Sequence, residues 1–127
     1  REGKDVTIVG HSKSYHVAMK TAEELEKEGI DAEVIDPRTI RPFDFDTVVN
    51  SVKKTNRLVI IDESNPFASL SSEIAFQIQY RAFDYLDAPV HRVTAKDVPA
   101  PYAKNLIEYY MPRVDEAVDA CRRVLYK

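Results

Sequence analysis

The chain has 127 residues, a net charge of −3, 44% hydrophobic and 31% charged residues, which is enough for one domain and too little for two ordinary ones. No apolar run approaches the length of a membrane-spanning helix, no N-terminal stretch has the basic-then-apolar layout of a signal peptide, and no block of basic residues offers the positive field that nucleic acid or anionic membrane would need. The single cysteine, Cys121, cannot form an internal disulfide and fits a reducing compartment.

The opening residues, REGKDVTIVG, carry no initiator methionine and lead almost at once into a β-branched strand, Val6 to Val9. An internal cut is expected, with residues 1–127 forming one domain of a longer protein. Tyr15, Ala18, Met19, Ala22 and Leu25 then follow helical spacing, and Gly29 is placed to close that helix. Ala32 to Ile35 reads as the second strand. After the turn DPRTIRP, Asp44 or Asp46 can cap a helix whose apolar stripe is Phe45, Val48, Val49 and Val52.

Leu58 to Ile61 is the third strand, between Arg57 and Asp62. A helix from about Ser71 to Leu86 carries Ile74, Ala75, Ile78, Ala82 and Tyr85 on one face and Phe76, Tyr80 and Phe83 on another. Apolar residues on two faces predict burial on two sides, and in so short a chain the second side points to another domain or subunit. Val90 to Thr94 is the fourth strand, and a last helix runs from about Arg113 to Tyr126. The connection from Lys96 to Tyr110 has no local pattern; loops that long are usually functional or lie against something. Alternation of apolar strands with helices predicts an α/β domain, a three-layer open and mostly parallel sheet with helices on both faces.

In such sheets ligands bind at the carboxyl ends of the strands, where the strand order reverses. His11 and Glu63 belong to those ends. Together they read either as an acid–base pair or small-anion crevice, or as a strand-end histidine beside a loop-capping carboxylate. No nucleophile or third orienting group completes a catalytic set. Three glycines leave no phosphate-binding loop, and His11, His16 and His91 with one cysteine lack zinc spacing. The first strand ends in Gly-His, not in the acidic pair of a magnesium-holding response regulator. Cys121 lies on an apolar stripe and reads as a small core residue. The residues therefore favour an interaction or assembly domain over a free-standing enzyme, with a stand-alone module binding a small anion at His11 and Glu63 as the alternative.

Several segments together resemble the C-terminal domain of the β subunit of thiamine-diphosphate-dependent 2-oxo acid dehydrogenases, the E1 component: KDVTIVGHS, EGIDAEVIDPRTIRPFDFDTV, SVKKTNRLVIIDE and LDAPVHRVTAKDVPAPYAKNLIEYYMP. EVIDPRTIRPFD alone is similar to transketolases and deoxyxylulose phosphate synthases as well; the run from LDAP to YYMP narrows the likeness to the E1 β group. The resemblance implies a sheet that is mostly parallel with one antiparallel strand. It implies that thiamine diphosphate and magnesium are held by other domains of the parent enzyme, so that this domain binds no cofactor and catalyses nothing alone. It also implies two partnerships: with the E1 α subunit and a second β subunit in an α2β2 assembly, and with the small, basic subunit-binding domain of the E2 acyltransferase. The family's docking aspartate is the one in LDAP, here Asp87. Phe76, Tyr80 and Phe83, with Pro99, Pro101 and Tyr102 of the stiff exit DVPAPY, are the expected subunit contacts. The cytoplasm of a bacterium or archaeon, or the mitochondrial matrix of a eukaryote, is the expected setting.

One segment departs from the pyruvate-type pattern. DESNPFASLSSEI has Ser, Ala and Leu where pyruvate E1 β chains carry a glycine-rich loop, and it is closer to acetoin dehydrogenase β subunits. Glycines allow close backbone approach and positive φ, so a differently shaped loop is expected there. Pyruvate, a branched-chain 2-oxo acid and acetoin all remain open as the parent's substrate.

Overall fold

A computed structural model describes all residues from Arg1 to Lys127. Its elements alternate as β1 (Val6–Gly10), α1 (Lys13–Lys27), β2 (Ala32–Ile35), α2 (Phe45–Thr55), β3 (Leu58–Asp62), α3 (Leu70–Ala82), β4 (His91–Thr94), α4 (Lys104–Tyr110) and α5 (Val114–Val124). The strands form one sheet in the order β2-β1-β3-β4. Period-two alternation sends Val6, Ile8, Val59, Ile61 and Val93 to the face covered by α1 and α5, and Val9, Leu58 and Ile60 to the face covered by α2 and α3. The central strands β1 and β3 are buried along their whole length, which is why they read as near-continuous apolar runs, while the edge strands β2 and β4 carry Glu33 and His91-Arg92.

The expected antiparallel strand is not in this sheet. All three pairings are parallel, because each strand is followed by a helix that returns the chain to the same end of the sheet. Residues beyond β4 form a loop and two helices instead of a returning strand. One antiparallel-type contact does occur at the outer edge of β2, where Arg1 donates to the Val34 carbonyl at 3.1 Å and Val34 donates back to the Arg1 carbonyl at 2.9 Å. It involves too few residues to make a strand.

Local chemistry sets the helix ends. Gly29 sits at φ +75°, a left-handed position that costs glycine nothing, and its N–H caps the Glu26 carbonyl at 3.0 Å. Asp44, not Asp46, caps α2 by accepting from the Thr47 N–H at 3.0 Å. Ser69 caps α3 through the Ser72 N–H at 3.4 Å. Ser69→Ala is expected to cost about 1 kcal/mol of stability, read as a lower denaturant midpoint with an unchanged slope; an unaltered midpoint would remove the cap from the account of where α3 begins.

α3 ends at Ala82, earlier than its periodicity predicts, and a single 3-10 turn over Phe83–Tyr85 carries the chain toward β4. The break is at Ala82 itself, whose backbone at φ −139° and ψ 22° has left the helical region. α4 occupies the end of the connection that has no readable pattern, and none of its residues is buried. A helix that buries nothing leaves no amphipathic signature to detect.

Candidate functional site

Asp87 stands where α3 hands over to β4, at the amino-terminal edge of the sheet, and its backbone is held from both sides. Its N–H donates to the Asn56 carbonyl at 2.9 Å, and its carbonyl accepts from the Tyr126 hydroxyl at 3.0 Å. Asn56, at φ +62° just after α2, also donates its side-chain amide to the Tyr85 carbonyl at 2.8 Å. The carboxylate itself is 57% exposed and lies 3.4 Å from the Arg57 guanidinium. Arg57 spends its other donors on the Val124 carbonyl at 3.0 Å and the Thr55 carbonyl at 3.4 Å. It pairs with Asp87 in charge but donates it no hydrogen bond, so the carboxylate keeps its acceptor capacity for an outside donor.

Beside Asp87 lies a groove of about 430 Å³ lined by Ala75, Gln79, Phe83, Leu86, Ala88 and Pro89, among others. Along the outer face of α3 the apolar surface continues: the Phe76 and Tyr80 rings stack at 6.4 Å and 17°, and Tyr80 is 81% exposed. The inner face, Ile74, Ile78 and Ala82, is buried against the sheet. The two faces of this helix therefore differ as the periodicity predicts for Ile74, Ile78 and Ala82, whereas Tyr85, expected on the inner face, lies beyond the helix and is exposed; the outer face is unpartnered in the single chain.

Pro99, Pro101 and Tyr102 stand apart from Asp87, on the loop that follows β4. With Leu106, Tyr109 and Tyr110, the two prolines line a hollow of about 240 Å³. Tyr102 projects fully into solvent. Asn65 holds the loop's root, donating to the Lys96 carbonyl at 3.0 Å and accepting from the Tyr110 hydroxyl at 3.2 Å.

The carboxyl end of the sheet is built differently from the sequence expectation. The strand order reverses between β1 and β3, but no hydrogen bond or ion pair joins His11 to Glu63. His11 instead borders a hollow of about 300 Å³ with Ser12, Asp36, Arg38 and Thr39, on the β2 side, where Arg38 pairs with Asp36 at 3.1 Å. Gly10 is required there because a Cβ would stand 2.8 Å from the Ser14 carbonyl oxygen, which lets α1 start close over the strand.

Sequence reasoning missed the role of the buried carboxylate at this end, Asp62, which is 3% exposed. It accepts from the N–H groups of Ser64 at 3.1 Å and Ser71 at 2.9 Å, tying the loop after β3 to the first turn of α3. Burial pushes its carboxyl up, but the hydrogen bonds from Ser64 and Ser71 outweigh that and hold it below its ordinary value. Arg92 finishes the tie from β4, donating to the Pro66 carbonyl at 2.9 Å and the Ser72 hydroxyl at 2.7 Å. Within DESNPFASLSSEI, backbone N–H groups of Ser64 and Ser71 thus serve one buried anion, and the Ser72 hydroxyl serves one cation. A signal was available: an acidic residue ending an apolar strand, followed by four serines.

No group of three or more His, Cys, Asp or Glu side chains is placed to hold a metal ion. The hollow beside His11 opposes its one arginine with an aspartate and offers no cradle for a diphosphate. The residues present do not fit thiamine diphosphate with magnesium. Burial pushes the Cys121 thiol up to about 12, so it is inert packing. No helix is long and apolar enough to cross a membrane.

A parallel four-stranded sheet between α1/α5 and α2/α3, with no complete catalytic set and an aromatic face left open, defines a transketolase-type C-terminal domain. The family model for the transketolase C-terminal domain matches residues 1–116, and the chain belongs to that family. Within it, the chain is similar to the pyruvate dehydrogenase E1 component subunit beta of Rhizobium meliloti (strain 1021), 52% identical over 127 residues, covering 100% of this chain and 28% of the relative. The mitochondrial pyruvate dehydrogenase E1 component subunit beta of Dictyostelium discoideum is 52% identical over 124 residues, covering 98% of this chain and 35% of the relative. A solved structure described as a split gene transketolase, inactive beta4 tetramer, superposes with a TM-score of 0.83 at 31% identity, over 99% of this chain and 40% of that one. The chain thus spans about a third of the length of the relatives it matches. The E1 β resemblance carried by LDAP through YYMP agrees with these relatives.

Proposed function

We propose that residues 1–127 are the C-terminal domain of a longer pyruvate dehydrogenase E1 β subunit, and that the domain holds subunits together and docks the E2 acyltransferase. The observation that carries this reading is the coincidence of whole-chain identity to E1 β subunits with an unpartnered aromatic face on α3 next to an exposed, backbone-anchored Asp87. In this reading Phe76, Tyr80 and Phe83, and separately Pro99, Pro101 and Tyr102, meet the E1 α subunit or a second β subunit in an α2β2 assembly, since exposed apolar surface of this kind marks an interface. Asp87 accepts charge-assisted hydrogen bonds from the basic subunit-binding domain of E2. The parent enzyme decarboxylates pyruvate with thiamine diphosphate and magnesium, held by its other domains, and acylates the E2 lipoyl group; this domain alone is inactive. The relatives' names favour pyruvate over acetoin. The setting is the bacterial or archaeal cytoplasm, or the mitochondrial matrix in a eukaryote.

Assembly is tested by Tyr80→Asp in the full-length protein. The side chain is 81% exposed, so the fold should tolerate the change, while a buried, unpaired carboxylate at an interface is strongly unfavourable. Analytical ultracentrifugation should show the tetramer replaced by smaller species. An undiminished tetramer would take α3 out of the interface.

A further inference from the structure

The structure assigns a positioning role to Tyr126: its hydroxyl fixes the backbone of Asp87 and so presents the carboxylate to a cationic partner. The inference rests on the reading of Asp87 as a docking residue. Asp87 lies outside regular structure, in the stretch between the 3-10 turn and β4. A carboxylate on an unfixed loop loses conformational freedom when it is bound, and that loss subtracts from affinity. Two backbone hydrogen bonds limit the freedom beforehand. One comes from the fold itself, Asp87 N–H to the Asn56 carbonyl at 2.9 Å; the other, from the Tyr126 hydroxyl to the Asp87 carbonyl at 3.0 Å, comes from a side chain 39 residues away.

Tyr126 is built for this contact and for little else. Its ring is 73% exposed, so it contributes little to the core. Its backbone is at φ +57°, a left-handed conformation that a tyrosine adopts only when its surroundings impose it. The imposing contacts are the Tyr126 N–H to the Arg123 carbonyl at 3.1 Å and the Lys127 N–H to the Arg122 carbonyl at 3.0 Å, which wrap the chain around the end of α5. That turn carries the phenol across to Asp87. Arg57 joins the same two segments from beneath, donating to the Val124 carbonyl at 3.0 Å while its guanidinium lies 3.4 Å from the Asp87 carboxylate. The end of α5, the start of β3 and the Asp87 loop are thereby one unit.

The test is a double-mutant cycle in the full-length protein assembled with its partner subunits, titrated calorimetrically with the E2 subunit-binding domain. Tyr126→Phe removes only the hydroxyl and is expected to weaken binding by about threefold to tenfold, the ordering cost of a group no longer held in advance, with a loss of folding stability no larger than the worth of one exposed hydrogen bond. In the Asp87→Asn background the same change should cost nothing further, because there is no longer a carboxylate to position. Wild-type affinity of Tyr126→Phe beside a weakened Asp87→Asn overturns the positioning role and leaves the docking reading standing. Full additivity also overturns it, since Tyr126 would then act on the partner independently. Undiminished binding by Asp87→Asn overturns the docking reading and this inference with it.

Discussion

Asp87→Asn in the assembled protein is expected to lower affinity for the basic E2 domain by roughly 10- to 100-fold, the loss of about 1.5–3 kcal/mol that accompanies removal of a charged hydrogen-bond acceptor. Asparagine keeps the shape and the backbone bonds to Asn56 and Tyr126. What it changes is the charge, and it turns one acceptor into an N–H donor that meets the partner's own donors. The change also leaves Arg57, 3.4 Å away in the parent side chain's presence, as an unneutralised cation facing a basic domain. Binding should lose part of its salt dependence along with its strength, because one screened attraction has gone. Decarboxylation measured with an artificial electron acceptor should be unaltered. Calorimetric titration at two ionic strengths reads all of this, and equal affinity for variant and parent protein would sink the docking assignment.

Asp62→Ala, at a buried position that ends β3, is expected to cost about 3 kcal/mol of stability. It strands the Ser71 N–H in the interior and the Ser64 N–H at its edge, and each lost bond to a buried carboxylate is worth about 1.5–3 kcal/mol before relaxation. The consequence reaches Asp87 indirectly, because Asp62 fixes the first turn of α3 and α3 carries the aromatic face. The pH dependence has a definite sign. The folded-state carboxyl is held below its ordinary value by the bonds from Ser64 and Ser71, which outweigh the opposing effect of burial. Its contribution is therefore complete above the unfolded value near 4 and is lost as pH falls through the depressed folded value. Urea denaturation at descending pH should show the parent protein losing stability below about pH 4, with Asp62→Ala losing less over the same interval. Parallel curves for the two proteins would contradict the assignment.

Four strands and four of the five helices are legible from pattern alone. The apolar runs at Val6, Ala32, Leu58 and Val90 are short, β-branched and separated by helical spacing, and a run of that kind has few other ways to hide its side chains on two faces. Boundaries were less legible. α3 stops at Ala82, where the backbone leaves the helical region and a 3-10 turn begins, while the apolar periodicity continues to Leu86. α4 is invisible because none of its residues is buried, so it has no wholly apolar face for the spacing to reveal.

The candidate site divides in the same way. Asp87 was identifiable by resemblance, and the second face of α3 by its spacing. Their adjacency was not, since Phe83 and Asp87 share one groove only once the 3-10 turn has been made. Residues that sequence brings close in expectation, His11 and Glu63, are left unjoined by the sheet.

What the sequence by itself determined is the alternation of elements, the two dry sheet faces and the family, because these depend on the order of apolar and polar residues along the chain. What only the tertiary structure decided is which polar groups meet: Asp62 with the Ser64 and Ser71 amides, Arg57 and Tyr126 with Asp87. Such contacts join residues up to 39 positions apart through hydrogen bonds of about 3 Å and one ion pair at 3.4 Å, and no one-dimensional period encodes a distance across a fold. The strand–helix alternation already pointed to a mostly parallel sheet; only the lack of an antiparallel strand was left for the structure to decide. Helical crossovers, not the composition of any strand, made the sheet parallel throughout.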